Sequence, residues 1–214
     1  MIRVMGVDVG YALPGLCVVE VDGTTLKSLL HAEGFKTKGL TTKQRRTGGV
    51  TTIYKSADDA RRMLEISDRI AEIVEKFQPD LAVLELPTAG AKSASAIKAM
   101  ALASATAVVT FRRLGVEQAY ITPRQNKWGS TQDKDAQKVA VHVAAKRLFP
   151  DFKWPLKKKG NLDKETAWAI SDAISCVSTW ASVFNRQLAA PTRSPQATRL
   201  SLPSELELTS PELQ

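Results

Sequence analysis

The sequence predicts an α/β fold: a mixed five-stranded sheet flanked by helices. Two patterns carry that expectation. Three strand-like segments open the chain in quick succession, and after them helical and strand-like segments alternate. A third observation sets the scale. The chain has 214 residues, 43% apolar and 24% charged, enough for one sizeable core and incompatible with wholesale disorder.

The apolar run 2–8, a turn between Gly10 and Gly15, and the run 16–21 read as a β-hairpin, with a third strand near 26–34. From Lys36 to Lys55 there are six basic residues and no acidic one, with Gly48-Gly49 and many threonines; a mobile basic loop is expected. Ala60, Leu64, Ser67, Ile70, Ala71, Val74 and Phe77 then recur on one face of a helix over 58–77, which Gln78-Pro79-Asp80 stops. The short apolar run 81–86 has the signature of a buried strand and carries Glu85. A small-residue helix over 93–114, a strand over 116–121, and helices over 134–148 and 163–184 complete the series, without internal repeats. Residues 190–214 hold four of the ten prolines and no aromatic residue. Such a segment cannot offset its ordering entropy, so a disordered tail is expected after a single domain over 1–189.

Thirty Lys and Arg against 22 Asp and Glu give a net charge of +8 and a pI near 9.6. The tail contributes −1, so a net +9 belongs to residues 1–189. That balance favours a polyanionic partner, nucleic acid before membrane. Cys17 and Cys176 make neither a disulfide framework nor a zinc spacing; they read as small buried hydrophobes in a reducing, cytoplasmic setting. The run 2–7 is too short for a signal peptide and meets Asp8. The longest weakly polar stretch, 99–111, falls short of the roughly 20 residues that cross a bilayer, so no membrane span is expected.

Asp8 ends an otherwise apolar first strand. A carboxylate there is costly to bury unless it holds a cation or a partner. Glu85 repeats the situation in Leu81-Ala-Val-Leu-Glu-Leu, and Asp172 repeats it on the apolar helix around Ala167-Trp-Ala-Ile-Ser-Asp. One such acid has an ordinary explanation as a salt-bridged edge of the core. Three of them, on three core elements, point to a site, and an all-oxygen cluster suits Mg²⁺ or Mn²⁺ rather than zinc.

Several motifs follow one another through the chain: Gly6-Val-Asp-Val-Gly10 with Gly15; Glu72-Ile-Val-Glu-Lys-Phe-Gln-Pro-Asp80 leading into Glu85; the small residues and lysines of 89–107; Thr122-Pro-Arg-Gln-Asn-Lys127 with Gly129 and Lys134; and Ser171-Asp-Ala-Ile-Ser175. In this order, over residues 2–180, the sequence resembles the RuvC group of Holliday-junction resolvases within the RNase H-like nuclease superfamily. The resemblance implies an RNase H-like fold and a homodimer. It implies metal-dependent cleavage of branched DNA, the four-way junction, to 5′-phosphate and 3′-hydroxyl ends, with two ions per site. A bacterial host would make the protein nucleoid-associated. Carried over by position, Asp8, Glu85 and Asp172 match three metal-binding carboxylates, and Lys127 and Lys134 match basic residues near the scissile phosphate. Arg124 within the same motif, Lys43, Arg45 and Arg46 in the basic segment, and the run Lys157, Lys158, Lys159 are the candidate DNA contacts.

Two positions depart from the pattern. Ala169 stands where the family often carries a fourth acid or a His, and Thr88 stands where bacterial members have an aromatic wedge. Flaps and forks therefore stay open as substrates, as does a non-catalytic DNA-binding module on the same fold. Glu165 is the expected fourth ligand, because it precedes Asp172 by two helical turns on the same face; a first-turn Glu favoured by the helix dipole is the ordinary alternative. Asp163 faces the other way and reads as an N-cap, with Thr166 three residues on. His142 reads as a surface or half-buried helical residue.

Overall fold

The structure, a computed structural model, describes residues 1–37, 39, 55–88 and 93–184. The elements in chain order are β1 (Ile2–Asp8), β2 (Gly15–Asp22), β3 (Thr25–Gly34), α1 (Lys55–Phe77), β4 (Leu81–Glu85), α2 (Ala94–Arg113), β5 (Glu117–Ile121), α3 (Pro123–Thr131), α4 (Lys138–Leu148) and α5 (Lys164–Thr179), which runs on as a π-helical turn, Trp180–Phe184. The five strands form one sheet in the order β3-β2-β1-β4-β5. The first three are antiparallel, while β1, β4 and β5 run parallel. This is the mixed, helix-flanked sheet that the sequence predicts. The basic positions Lys43, Arg45 and Arg46, and the tail over 190–214, lie outside the described residues.

Strand periodicity divides the core in two. Val4, Cys17, Val19 and Val83 point to one face and pack with Ala145, Ile170, Ala173, Ile174 and Val177 of α4 and α5. Met5, Val7, Leu16, Val18, Ala82 and Leu84 point to the other and pack with Ile66, Ile70 and Ile73 of α1 and Ala103, Ala107 and Phe111 of α2. Helix α1 ends as expected at Gln78, which takes a positive φ of 48° before Pro79. Its backbone and side-chain amides both donate to the Val74 carbonyl.

Three expectations need correcting. Residues 122–131, read from sequence only as a motif, form helix α3 with a full capping box between Thr122 and Gln125 and Pro123 in the first turn. Helix α4 begins at Lys138 rather than 134. Asp133 accepts from the Asp135 amide through Oδ1 at 2.9 Å and from the Ala136 amide through its carbonyl at 3.2 Å, and this turn outcompetes helix for residues 133–136. Lastly, α2 spans 20 residues and is long and apolar enough by composition to cross a membrane, whereas the stretch 99–111 alone reads as too short. Its inward face, Ala103, Ala107, Thr110 and Phe111, is buried in this fold.

Candidate active site

Asp8 and Glu85 end the two central parallel strands and are directly paired in register. Asp8 shares parity with Val4 and Gly6, and Glu85 with Val83, so both acids face α5. The same rung of the sheet continues from Asp8 to Gly15 and from Gly15 to Gly34. Those glycines let α5 lie almost on the backbone. A Cβ at Gly15 would stand 1.9 Å from the Ala169 carbonyl oxygen, and one at Gly6 would stand 2.1 Å from that of Ala173. Close approach of α5 over this rung brings Asp172 above the paired acids. The three carboxylates line one cleft of about 230 Å³ with Pro123, Asn126, Lys127, Ala136, Gln137, Lys138 and Val141.

Burial raises the proton affinity of all three, and repulsion between carboxylates adds to it at Asp8 and Glu85. Asp8 is pushed well above the usual carboxylate range, first by desolvation and then by Glu85 and Asp172, with Lys138 opposing. Desolvation also lifts Glu85, to about 7, against a hydrogen bond from Asn126 and the charges of Lys138 and Lys127; Asp172 adds to the rise. Asp172 is raised by desolvation, offset by Lys138, whose ammonium lies 3.4 Å from Oδ2, and by Lys127. Asn126 is buried and donates to Glu85 Oε2.

An oxygen-only donor set with several desolvated negative charges fits a hard divalent cation, whose charge offsets the cost of burying the acids. Among the described residues, the side chains stand around the cleft rather than clasped into a ready-made chelate.

The chain is 28% identical over 171 residues to the crossover junction endodeoxyribonuclease RuvC of Sinorhizobium medicae, a match that covers 80% of this chain and 89% of that protein. The likeness to RuvC thus extends over most of both chains. No protein-family profile matches it. Thermus thermophilus RuvC, solved in complex with a Holliday junction substrate, superposes with a TM-score of 0.65 at 20% identity, covering 87% of this chain and 97% of that one. The yeast mitochondrial Holliday junction resolvase Ydc2 gives 0.59 at 14% identity, over 87% and 80%. At those identities the two structures speak for the RNase H-like fold.

Asp8, Glu85, Asp172 and Lys127 come together in the cleft as the sequence suggests, and two expected residues do not. Lys134 is exposed in the turn before α4; the lysine that reaches the cleft is Lys138, the first residue of α4. Glu165 is also exposed, and it pairs with Lys36 at 3.3 Å. Two turns of rise, about 10.8 Å, outweigh its shared face with Asp172. Nor does Ala169 offer a place for the missing acid. Its Cβ lies 3.5 Å from where one on Gly34 would be, and only 4% of the residue is exposed, so the position packs onto β3.

Arg124 is exposed on α3, and Thr88 is exposed after β4. Lys157, Lys158 and Lys159 are exposed on a tight turn closed by a 2.7 Å hydrogen bond from the Lys157 amide to the Asn161 carbonyl, with Gly160 at a φ of 80°. Asp163 does precede α5, though its carboxylate accepts from the Thr166 hydroxyl at 2.9 Å rather than from a backbone amide. His142, expected nearer the surface, is buried against Trp154, with Nδ1 2.9 Å from Ser171 Oγ. That hydroxyl donates to the Ala167 carbonyl, so His142 is the donor between them. Both cysteines are free thiols in the core.

Beside the cleft, the turn after Asp8 is tied down by a polar knot. Tyr11 donates to Asp59 Oδ1, and Lys98 of α2 reaches Asp59 Oδ2 at 3.1 Å. The Arg62 guanidinium stacks on the Tyr11 ring at 3.8 Å and donates to Thr37 Oγ1 at 2.9 Å. Thr37 in turn donates to the Tyr11 carbonyl at 2.7 Å.

Proposed function

We propose that this chain is a metal-dependent, structure-selective endonuclease that cleaves four-way DNA junctions by in-line phosphodiester hydrolysis, leaving 5′-phosphate and 3′-hydroxyl ends. The observation that carries the reading is the single cleft into which β1, β4 and α5 deliver Asp8, Glu85 and Asp172. These three acids would hold Mg²⁺ or Mn²⁺. Divalent ions bound there, two in the usual arrangement, supply an activated water and stabilise the leaving oxygen.

The chain's own groups do the rest. Lys138, 3.4 Å from Asp172, favours its charged form against the cost of burial. Lys127 and Lys138 give the cleft the positive charge that receives a phosphate among acids. The lysine turn at 157–159 and the basic segment holding Lys43, Arg45 and Arg46 would bear on the DNA backbone away from the scissile bond.

Symmetric cleavage of a four-way junction needs two sites, hence a homodimer. Helix α2 supports one: Ile97, Ala101, Ala105 and Val109 follow at four-residue spacing along an exposed apolar stripe. Leu64 of α1, 64% exposed, stands beside it across a shared groove. The protein would act in the cytoplasm, at the nucleoid if the host is bacterial.

The test is incubation of the purified protein with labelled four-way, forked, flapped and linear DNA, with and without Mg²⁺. Mg²⁺-dependent, paired incisions in the four-way substrate are expected, and Asp8→Asn, Glu85→Gln or Asp172→Asn should abolish them while junction binding persists. Near-parental cleavage by any of the three would remove that residue from the site. Preferential incision of forks or flaps would shift the substrate to other branched DNA, and binding without cleavage of any substrate would leave a DNA-binding module.

A further inference from the structure

Asn126 is 2% exposed, and the chemistry assigned to the acids does not use it. It sits mid-way along α3, on the turn between Thr122-Pro-Arg-Gln and Lys127. Its Nδ2 donates to Glu85 Oε2 and, at 3.1 Å, to the Asp172 carbonyl oxygen; Cys176 Sγ lies 3.6 Å away. Behind it, the buried Thr179 hydroxyl lies 3.2 Å from the Asn126 carbonyl oxygen and 3.4 Å from Oδ1. A hydroxyl facing Oδ1 and a carboxylate facing Nδ2 leave only one orientation of the amide that satisfies both ends. The contact is deliberate at the level of the backbone as well. A Cβ at Gly129 would stand 2.4 Å from Thr179 Oγ1, so only glycine lets α3 sit this close to α5.

We infer that Asn126 is a positioning residue that, braced by Thr179, fixes the Glu85 carboxylate and ties it to the α5 turn carrying Asp172, so that the two acids are held as a pair for a divalent cation. The inference rests on the reading of Glu85 and Asp172 as metal-binding carboxylates. A Glu side chain has three rotatable bonds, and an untethered one must be ordered each time a cation binds. Asn126 supplies that ordering in advance, because one side chain contacts both the carboxylate at the end of β4 and the main chain of α5. Groups that orient a ligand in this way are commonly worth tenfold to a hundredfold in metal affinity. A residue that merely stitched α3 to α5 would affect folding and leave metal affinity alone.

The experiment uses the full-length protein and Mn²⁺ alone as the probe, with affinity measured by calorimetry. Melting temperature and metal-free binding to a four-way junction are recorded alongside. Asn126→Val should weaken Mn²⁺ binding about tenfold or more, with a cooperative melt and unchanged metal-free junction binding. Thr179→Val, which touches none of the acids, should shift Mn²⁺ affinity in the same direction by less. A folded Asn126→Val with parental Mn²⁺ affinity would overturn the inference. Should Asn126→Val lose its cooperative melt, Thr179→Val decides, and parental affinity there overturns it equally. Asp8→Asn is the control: if it too binds Mn²⁺ like the parent, the metal reading of the cleft fails, and the inference falls with it.

Discussion

Replacing Gly6 by alanine would test how the third carboxylate is placed. The new Cβ would stand 2.1 Å from the Ala173 carbonyl oxygen, 2.8 Å from Val177 Cγ2 and 2.9 Å from Cys17 Sγ. A carbon and a carbonyl oxygen settle at about 3.3 Å, so α5 must retreat from β1 by about 1.2 Å at that point. The atom in the way is backbone, which no rotamer change relieves. Overpacking of this kind costs about 1–3 kcal/mol, and a backbone obstruction belongs at the upper end. In a domain of this size that is a drop of about 6–12 °C in melting temperature. Ala173 adjoins Asp172, so the same retreat draws Asp172 away from Asp8 and Glu85. A misplacement of about 1 Å can cost a hundredfold in rate. Calorimetric melting and Mg²⁺-dependent cleavage of a labelled four-way junction read the two effects side by side. A Gly6→Ala protein that melts and cuts like the parent would refute the argument that close packing of α5 on β1 sets the site.

Metal-free protein should lose thermal stability as pH rises. The unfolded Glu85 ionises near 4.5, while the folded one keeps its proton to about 7, so the folded state binds more protons across that interval and its advantage disappears through it. Asp8 and Asp172 act in the same direction. Melts in EDTA from pH 4.5 to 8 should show the decline, and Glu85→Gln should flatten it; a flat parental profile would contradict the buried-acid account. Lys138→Ala should reduce cleavage by about a hundredfold, the scale of losing one charge-stabilising group, whereas Lys134→Ala stays near the parent, and the reverse order would restore Lys134 to the site. Replacing Lys157, Lys158 and Lys159 together by alanine should reduce the slope of log K against log salt by about 0.9 for each of these lysines that meets a phosphate, while an unchanged slope in a junction-binding titration would route the DNA elsewhere.

Asp8 and Glu85 were legible because strands alternate their side chains. A carboxylate closing an apolar run declares its own face, and pairing the two strands places both acids on it. Asp172 was legible as a charge on a helix that is otherwise core. Lys138 and Asn126 were not, since their roles depend on how the turn at 133–136 and the short helix α3 rotate them toward α5. The signal for α3 was present in Thr122, Pro123 and Gln125, whose spacing spells a helix start, yet those residues read first as a motif. Glu165 shows the limit of the helical wheel, which reports direction but not distance along the axis. The smallness of position 169 has no local cause in sequence; it follows from Gly34 lying beneath it on β3.

The knot around Tyr11, Asp59, Arg62, Thr37 and Lys98 bears on how Asp8 is kept in place. It fastens the end of the chain leaving β3 to the start of α1 and to the turn that follows Asp8. The turn that follows Asp8 is thus held by side chains of α1 and α2, on the face of the sheet opposite α5, so both helical layers contribute to placing that carboxylate.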